Sequence, residues 1–270
     1  MIVSEERPNR GVTLIIPDLR YEVMELVLEY IYSDNVYTPL DPNSPTPRDL
    51  YLAALQLELP RLQEIAKNVI LPGVFQEEDE THVVPSQLAY DLSGAVNDGM
   101  WSDILIVAEG REIHAHQCIL TARSEYFKAV FAHGMKESQQ HVVNVQESYL
   151  TMLRVITFMY TDTLKEASDD VLLEDLIAAD RFGLVRMKLL CEHMIYVTPS
   201  NCLNTLAVSE MVHASTLKER SMRNVGRHLS RLHGSTPYKE LMKQCPHLQH
   251  EILERVQGSN NRAILRVRTI

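Results

Sequence analysis

Two stretches of the chain carry the same periodic pattern of apolar residues, 128 positions apart. The first contains Met24, Val27, Leu28 and Ile31, at the i, i+3, i+4, i+7 spacing that places side chains on one face of a helix. The second keeps that spacing with Met152, Val155, Ile156 and Met159. The pattern predicts a duplicated helix whose apolar face serves the core in both copies.

A pair of helices is predicted to follow each copy. Ala53-Ala54 matches Ala178-Ala179 at an offset of 125, so the connecting loop of the first copy is three residues longer. Such an insertion is expected in a surface loop. Upstream of the first copy only the strand at 12–16 has a counterpart, and most of the region 99–147 has none. Either the chain is a piece of a longer protein, or the first copy packs onto the complete one.

Local patterns predict the remaining elements of the first 198 residues. Before the second copy we expect a strand at 12–16, a helix at 18–32, a proline-rich loop at 34–49, and two helices at 49–70 broken near Pro60. Next come an acidic linker at 72–85, a short amphipathic helix at 86–97, and a β-hairpin of strands 104–107 and 112–116. A helical pair at 117–123 and 124–133, capped by Ser124, precedes a strand at 142–145.

Beyond residue 198 the pattern is helical throughout. Helices are predicted at 199–212, 215–233, 237–244 and 246–256, followed by a frayed tail at 258–270.

Composition and charge describe an ordinary globular protein with an uneven charge distribution. A length of 270 residues favours roughly two domains. Residues 1–217 carry 15 Lys/Arg and 32 Asp/Glu, whereas residues 218–270 carry 11 and 4. An acidic body with a basic end argues against nucleic-acid binding, and we expect solvated helix faces there. The absence of a long apolar run argues against membrane insertion. The four cysteines suit a reducing compartment, so we expect a cytoplasmic protein that can also be nuclear.

One cluster of residues resembles a metal site. His114 and His116 would share one face of a strand, with Cys118 close behind. No second pair at a suitable spacing completes the site, so no metal and no cofactor are expected. The sequence also has no phosphate loop, nucleophile elbow or definable acid/base pair, and we therefore do not expect an enzyme.

Several short motifs, in order, resemble those of the BTB/POZ domain family. Trp101-Ser102-Asp103-Ile104 resembles its opening strand, and His114-Ala115-His116 with Cys118-Ile119-Leu120 resembles its hairpin exit. Arg123-Ser124-Glu125-Tyr126-Phe127, Met135-Lys136-Glu137-Ser138 and Tyr160-Thr161-Asp162 resemble its later motifs. The resemblance implies an α+β fold, in which a small sheet is covered by helices, followed by an all-α segment. The residues expected to define this fold are Asp103, His116, Leu120, Ser124 and Phe127.

The resemblance also implies a domain organisation. We expect an incomplete BTB copy at 1–71, the linker at 72–85, a complete BTB domain at 86–198, a BACK-like region at 199–257 and the tail at 258–270. Tandem BTB domains occur in ankyrin-repeat-and-BTB proteins and in relatives of the inhibitor of Bruton tyrosine kinase. No ankyrin pattern is present in the sequence, so the subfamily stays open.

The function implied by the resemblance is that of a substrate adaptor for a cullin-3 ubiquitin ligase. Met135 and Glu137, with Tyr160, are the expected cullin contacts, and the ubiquitylation target is unknown. A homodimer, or a pair of BTB copies within one chain, is expected to bury the stripe of Leu88, Leu92 and Val96. The alternative function is a self-associating scaffold or transcriptional co-regulator that does not bind cullin.

Overall fold

A computed structural model describes residues 3–6, 12–16, 19–70, 87–132 and 141–255. The chain divides into two units, Met1–Asp91 and Leu92–Ile270. The predicted linker at 72–85, Gly134 and the tail at 258–270 lie outside the described residues.

The first unit contains a hairpin and a group of helices. Strands β1 (Val3–Glu6) and β2 (Val12–Ile15) pair antiparallel, with Val3 opposite Ile15. Helices α1 (Tyr21–Ser33), α2 (Thr46–Gln56) and α3 (Pro60–Ile70) follow, and α4 (Leu88–Gly94) spans the division between the units. The three larger helices enclose a core of nine buried residues, listed here: Val23, Leu26, Val27, Tyr30, Leu50, Ala53, Ala54, Leu62 and Ala66.

The second unit is built on a three-stranded sheet in the order β4-β3-β5. Strands β3 (Ile104–Ala108) and β4 (Arg111–Ala115) form the predicted hairpin, and β5 (Val142–Val145) pairs parallel with β3. Helices α5 (Gln117–Arg123) and α6 (Glu125–Ala132) lie between β4 and β5 in the chain. Parallel pairing requires such a crossover, because the chain must return to the same end of the sheet.

Seven further helices and a last helical segment follow β5 in the described residues. They are α7 (Tyr149–Thr161), α8 (Asp169–Arg181), α9 (Val185–Met194), α10 (Cys202–Met211), α11 (Ser215–Arg227), α12 (Leu229–Leu232) and α13 (Thr236–Gln244), and residues 246–255 are also helical. One hydrophobic core is shared by the sheet, α5 to α9 and the start of α11. A second core is formed by α10, the rest of α11, α12, α13 and residues 246–255. No helix in the described residues is long and apolar enough to cross a membrane.

Several predicted element boundaries were wrong. Helix α2 begins at Thr46, inside the predicted proline-rich loop, because Pro47 lies in its first turn, where a missing N–H breaks no helical bond. The helix predicted at 86–97 spans only 88–94. The helix predicted at 215–233 is divided at His228, whose backbone N–H is shared between Asn224 and Val225 carbonyls.

The duplicated pattern appears in matching helix ends. Helix α1 is followed by Asp34 and α7 by Asp162, both left-handed with φ of 56° and 55°. Each of these residues donates its backbone N–H to a carbonyl four residues earlier, at Tyr30 or Phe158. Helix ends are commonly closed by one left-handed residue in this way.

Among the described residues, a sharp turn between two successive helices, here called a helical corner, occurs three times, whereas the sequence pattern indicated it twice. The left-handed residues between the paired helices are Glu58, Gly183 and His213, with φ of 56°, 68° and 53°. In each corner the next residue donates its N–H to a carbonyl five positions earlier, at 2.8 Å, in the pairs Leu59 to Ala54, Leu184 to Ala179 and Ala214 to Ser209. The third corner was missed because its helices lack the paired alanines.

The predicted burial of the duplicated face is wrong for the first copy. In α7, Met152, Val155, Ile156 and Met159 are all buried. In α1 the buried residues are Val23, Leu26, Val27 and Tyr30, whereas Leu28 and Ile31 are exposed. Helix α7 packs against β3, β4 and α5, so the two faces differ in what covers them.

Candidate partner-binding surface

Tyr160, at the end of α7, joins that helix to the exit of the β-hairpin. Its hydroxyl accepts the backbone N–H of His116 at 2.9 Å and lies 2.7 Å from His116 Nδ1. Because the hydroxyl accepts from the backbone, its own proton is best donated to Nδ1, which leaves Nε2–H to face the Met100 carbonyl at 3.3 Å. Burial raises the pKa of Tyr160 to about 12, so the hydroxyl stays neutral.

Tyr160 therefore has a structural role rather than the predicted role of a cullin contact. Its side chain is only 4% exposed. A side chain with so little accessible surface cannot supply a central contact to another protein. The prediction for this residue is corrected on that ground.

Asp103, just before β3, joins the beginnings of three elements. Its carboxylate accepts the backbone N–H of Gln117 at 2.7 Å, at the start of α5. A carboxylate in this place pairs an unsatisfied helix N–H and lies favourably in the helix dipole. The Asp103 carbonyl contacts Gln117 Nε2 at 3.2 Å and His141 Nδ1 at 3.0 Å, next to β5.

Ser124 and Phe127 connect the α5–α6 pair to the α8–α9 corner. The buried Ser124 hydroxyl donates to the Phe182 carbonyl at 2.7 Å and receives the Phe127 N–H at 3.4 Å. The Phe127 ring stacks on Phe182 at 5.4 Å, and Leu120 is fully buried in the same core. These contacts fix the start of α6 against the α8–α9 corner.

The proposed cullin motif itself lies outside the described residues. Met135 and Glu137 fall between Ala132, the last residue of α6, and His141. The exposed residues of α6 nearest to the motif in sequence are Lys128, Ala129 and Ala132. The predicted contacts therefore remain predictions based on the sequence motif.

The predicted dimer stripe is half-buried rather than free. Leu92 and Val96 pack against the core of the second unit, and Leu88 belongs to the first unit. The prediction that one short helix at 86–97 carries all three residues is wrong for Val96, because α4 ends at Gly94. Asn97 then turns the chain, and its side-chain carbonyl accepts the His114 N–H at 2.9 Å.

Sequence reasoning missed a pair of exposed apolar side chains between α4 and β3. Met100 is 66% exposed, and Trp101, the only tryptophan of the chain, is 87% exposed. The backbone of Trp101 is left-handed, with φ of 62°, which is unusual for a bulky residue. The one available sequence signal was an aromatic residue directly before the polar pair Ser102-Asp103.

The histidines of the apparent metal cluster have partners within the protein. His114 Nδ1 lies 3.2 Å from the Ser102 hydroxyl, and His116 is engaged by Tyr160. Across the part of the chain that the structure describes, no group of three His, Cys, Asp or Glu side chains could hold a metal ion. Cys118 is exposed rather than enclosed by its apolar neighbours, whereas Cys191 is buried and burial raises its pKa to about 12.

Comparison with known proteins identifies the domain class. Residues 93–198 match the family model described as the BTB/POZ domain. The chain therefore contains a BTB/POZ domain, and the α+β class expected from the motifs is confirmed. The predicted incomplete first copy, the BACK-like region and the subfamily stay predictions.

The most informative relatives are BTB/POZ proteins with additional domains. BTB/POZ and MATH domain-containing protein 6 of Arabidopsis thaliana is 28% identical over 196 residues, covering 66% of this chain and 47% of that protein. TD and POZ domain-containing protein 2 of Mus musculus is 29% identical over 168 residues, covering 61% and 46%. The chain thus spans about half the length of the curated relatives it matches. The shared domain points to a protein-interaction module.

Among solved structures, the BTB domain of human Gigaxonin matches 42% of this chain and 96% of its own, at 21% identity and a TM-score of 0.34.

Proposed function

We propose that this protein is a substrate adaptor of a cullin-3 RING ubiquitin ligase and acts in the cytoplasm. In this proposal the BTB/POZ domain binds the cullin, assisted by α10 and α11, while another surface recruits a target of unknown identity. The supporting observation is the motif Met135-Lys136-Glu137, which follows the α5–α6 pair of a domain matched to the BTB/POZ family. Its order resembles that of the cullin-contacting motif of BTB adaptors.

The two motif residues suit a small and specific contact. Methionine is flexible and polarisable, so it can fill an irregular apolar pocket. A glutamate two positions later can accept charge-assisted hydrogen bonds at the edge of that pocket. Truncating such a pair at the centre of an interface costs roughly 1–3 kcal/mol per residue, or about one to two decades of affinity.

The proposal is tested by titrating the full chain with the amino-terminal region of cullin-3 in a calorimeter. The double variant Met135→Ala/Glu137→Ala should lose at least about tenfold in affinity, by the same hot-spot range. Lys136→Ala is the matched control, because it truncates the residue between the two proposed contacts and should bind like the parent. Equal binding by parent and double variant would show that the motif is assigned wrongly. A parent chain that does not bind cullin-3 would remove the adaptor function.

A self-associating scaffold is the second candidate, and exposed apolar surface favours it. Met100, Trp101 and the half-buried Leu92 and Val96 lie within ten residues of one another in the second unit. Aromatic and methionine side chains are enriched at protein interfaces, where their burial excludes water. Sedimentation of the double variant Leu88→Asp/Leu92→Asp tests dimerisation through α4. A parent dimer whose mass is unchanged by the substitutions would exclude α4 from the interface.

A further inference from the structure

Helices α1 and α7 correspond in detail beyond their shared apolar pattern. Each has 13 residues and is followed by a left-handed aspartate. Asp34 lies 3.6 Å from the guanidinium of Arg61, and Asp162 lies 2.5 Å from that of Arg186. Both arginines are the second residue of the helix after a helical corner, α3 in one case and α9 in the other. The same ion pair therefore links the same two elements in each unit.

The two helices agree in burial on one side. Val23, Val27 and Tyr30 of α1 are 0%, 0% and 9% exposed, and their counterparts Thr151, Val155 and Phe158 are 4%, 0% and 2% exposed. This side faces the following helices in both units, as the contacts of α1 with α2 and of α7 with α8 require.

On the other side the helices differ sharply. Leu28, Ile31 and Tyr32 of α1 are 40%, 45% and 81% exposed, whereas their counterparts Ile156, Met159 and Tyr160 are 0%, 1% and 4% exposed. In the second unit this side of α7 is covered by β3, β4 and α5, and the Tyr160 hydroxyl is bound by His116. The exposed Glu25 lies beside these residues on α1, whereas its counterpart Leu153 is half-buried. Exposed apolar side chains grouped on one side of a helix, with an aromatic hydroxyl at the end, favour a binding surface.

We propose that Leu28, Ile31 and Tyr32 form the docking face for the front half of a BTB fold. The occupant is a polypeptide region other than residues 1–270, which presents a β-hairpin and a first helix of the kind formed by residues 104–123. Its hairpin exit offers a backbone N–H and a histidine to the Tyr32 hydroxyl, as Ala115-His116 does to Tyr160. The front half within this chain is already packed on α7, so a second one is needed.

The chemistry of the face matches that occupant at three positions, whereas Glu25 replaces Leu153 at its edge. Leu28 replaces Ile156, Ile31 replaces Met159 and Tyr32 is retained as Tyr160, so volume and polarity are nearly conserved. The inference concerns the first unit alone and does not depend on the proposed cullin contact. Loss of cullin binding and loss of this docking are therefore separate results.

The test uses the chain's own front half as the probe. A second copy of residues 99–132 is fused ahead of Met1 of the full chain through a flexible glycine-serine linker, which gives a high effective concentration. Hydrogen exchange of the α1 amides is measured with and without the fused segment. We expect exchange in the peptide spanning Leu28 to Tyr32 to slow by about tenfold or more in the fusion.

Two single variants give the test its specificity. Ile31→Glu places a charge in the face and should return exchange in the fusion to the rate of the unfused chain. Leu55→Glu is the matched control, because Leu55 is 54% exposed and its counterpart Asp180 is exposed as well. The control should leave the protection in the fusion unchanged.

Three results would overturn the proposal. One is a soluble fusion in which α1 exchanges as fast as in the unfused chain. Another is a much larger loss of stability from Ile31→Glu than from Leu55→Glu when both are made in the unfused chain, because the face would then already be covered within the chain. The third is an unfused chain that self-associates and becomes monomeric on Ile31→Glu, because a second copy would then be the occupant.

Discussion

Replacing Tyr160 by phenylalanine tests the hydrogen-bonded connection between α7 and the hairpin exit. The substitution removes one oxygen, which lies 2.9 Å from the His116 nitrogen and 2.7 Å from His116 Nδ1. The ring keeps its volume, so no cavity forms, and the cost arises from a partly buried N–H left without a partner. Such a loss amounts to about 1–3 kcal/mol of the free energy of unfolding. For a unit of this size each kcal/mol lowers the melting temperature by roughly 2–4 °C.

The chain contains its own control for this experiment. Tyr32 is the counterpart of Tyr160 and is 81% exposed, so Tyr32→Phe removes the same hydroxyl from an exposed position. An exposed hydroxyl should contribute less than about 0.5 kcal/mol. Urea denaturation of the full chain, followed by circular dichroism, gives the midpoint and slope for each variant. If Tyr160→Phe and Tyr32→Phe shift the midpoint equally, the structural role assigned to the Tyr160 hydroxyl is wrong.

Three further predictions follow from buried and strained positions. The pKa of Tyr160 is raised to about 12 from the usual 10.0, so folding favours the neutral hydroxyl. The stabilisation that this gives is complete below pH 10 and is lost as the pH rises towards 12. Melting curves at alkaline pH should therefore show a smaller loss of stability in Tyr160→Phe than in the parent. Arg154 lies 2.7 Å from the fully buried Asp175, and burial raises the pKa of that carboxyl. Arg154→Met should therefore lower the free energy of unfolding by about 3–5 kcal/mol in urea denaturation, and adding Asp175→Leu should recover most of that loss. A single variant as stable as the parent would show that the ion pair is unimportant. Gly183 has a φ of 68° and open space around it, so Gly183→Ala should lower the free energy of unfolding by about 1–2 kcal/mol through backbone strain alone. A variant that melts at a higher temperature than the parent would contradict the left-handed backbone assigned to this residue.

Local sequence signals determined which elements form and how several of them end. The hairpin at 104–115 follows from β-type residues on both sides of Glu109-Gly110, and the break before α3 follows from Pro60. The apolar spacing in α7 predicts its buried face correctly, because the sheet covers that face. The motifs from Trp101 to Asp162 predict the BTB/POZ class, because residues such as Asp103, Ser124 and Tyr160 form the contacts that join the elements of the domain.

The tertiary structure alone decided what happens to identical patterns in different surroundings. Tyr32 and Tyr160 stand in equivalent motifs, yet one is exposed and the other buried against His116. The third helical corner, at His213, carries no repeated residues and is defined only by its backbone. Periodicity determines which side of a helix is apolar, but burial depends on whether another element lies against that side, and that element can come from any part of the chain or from another chain.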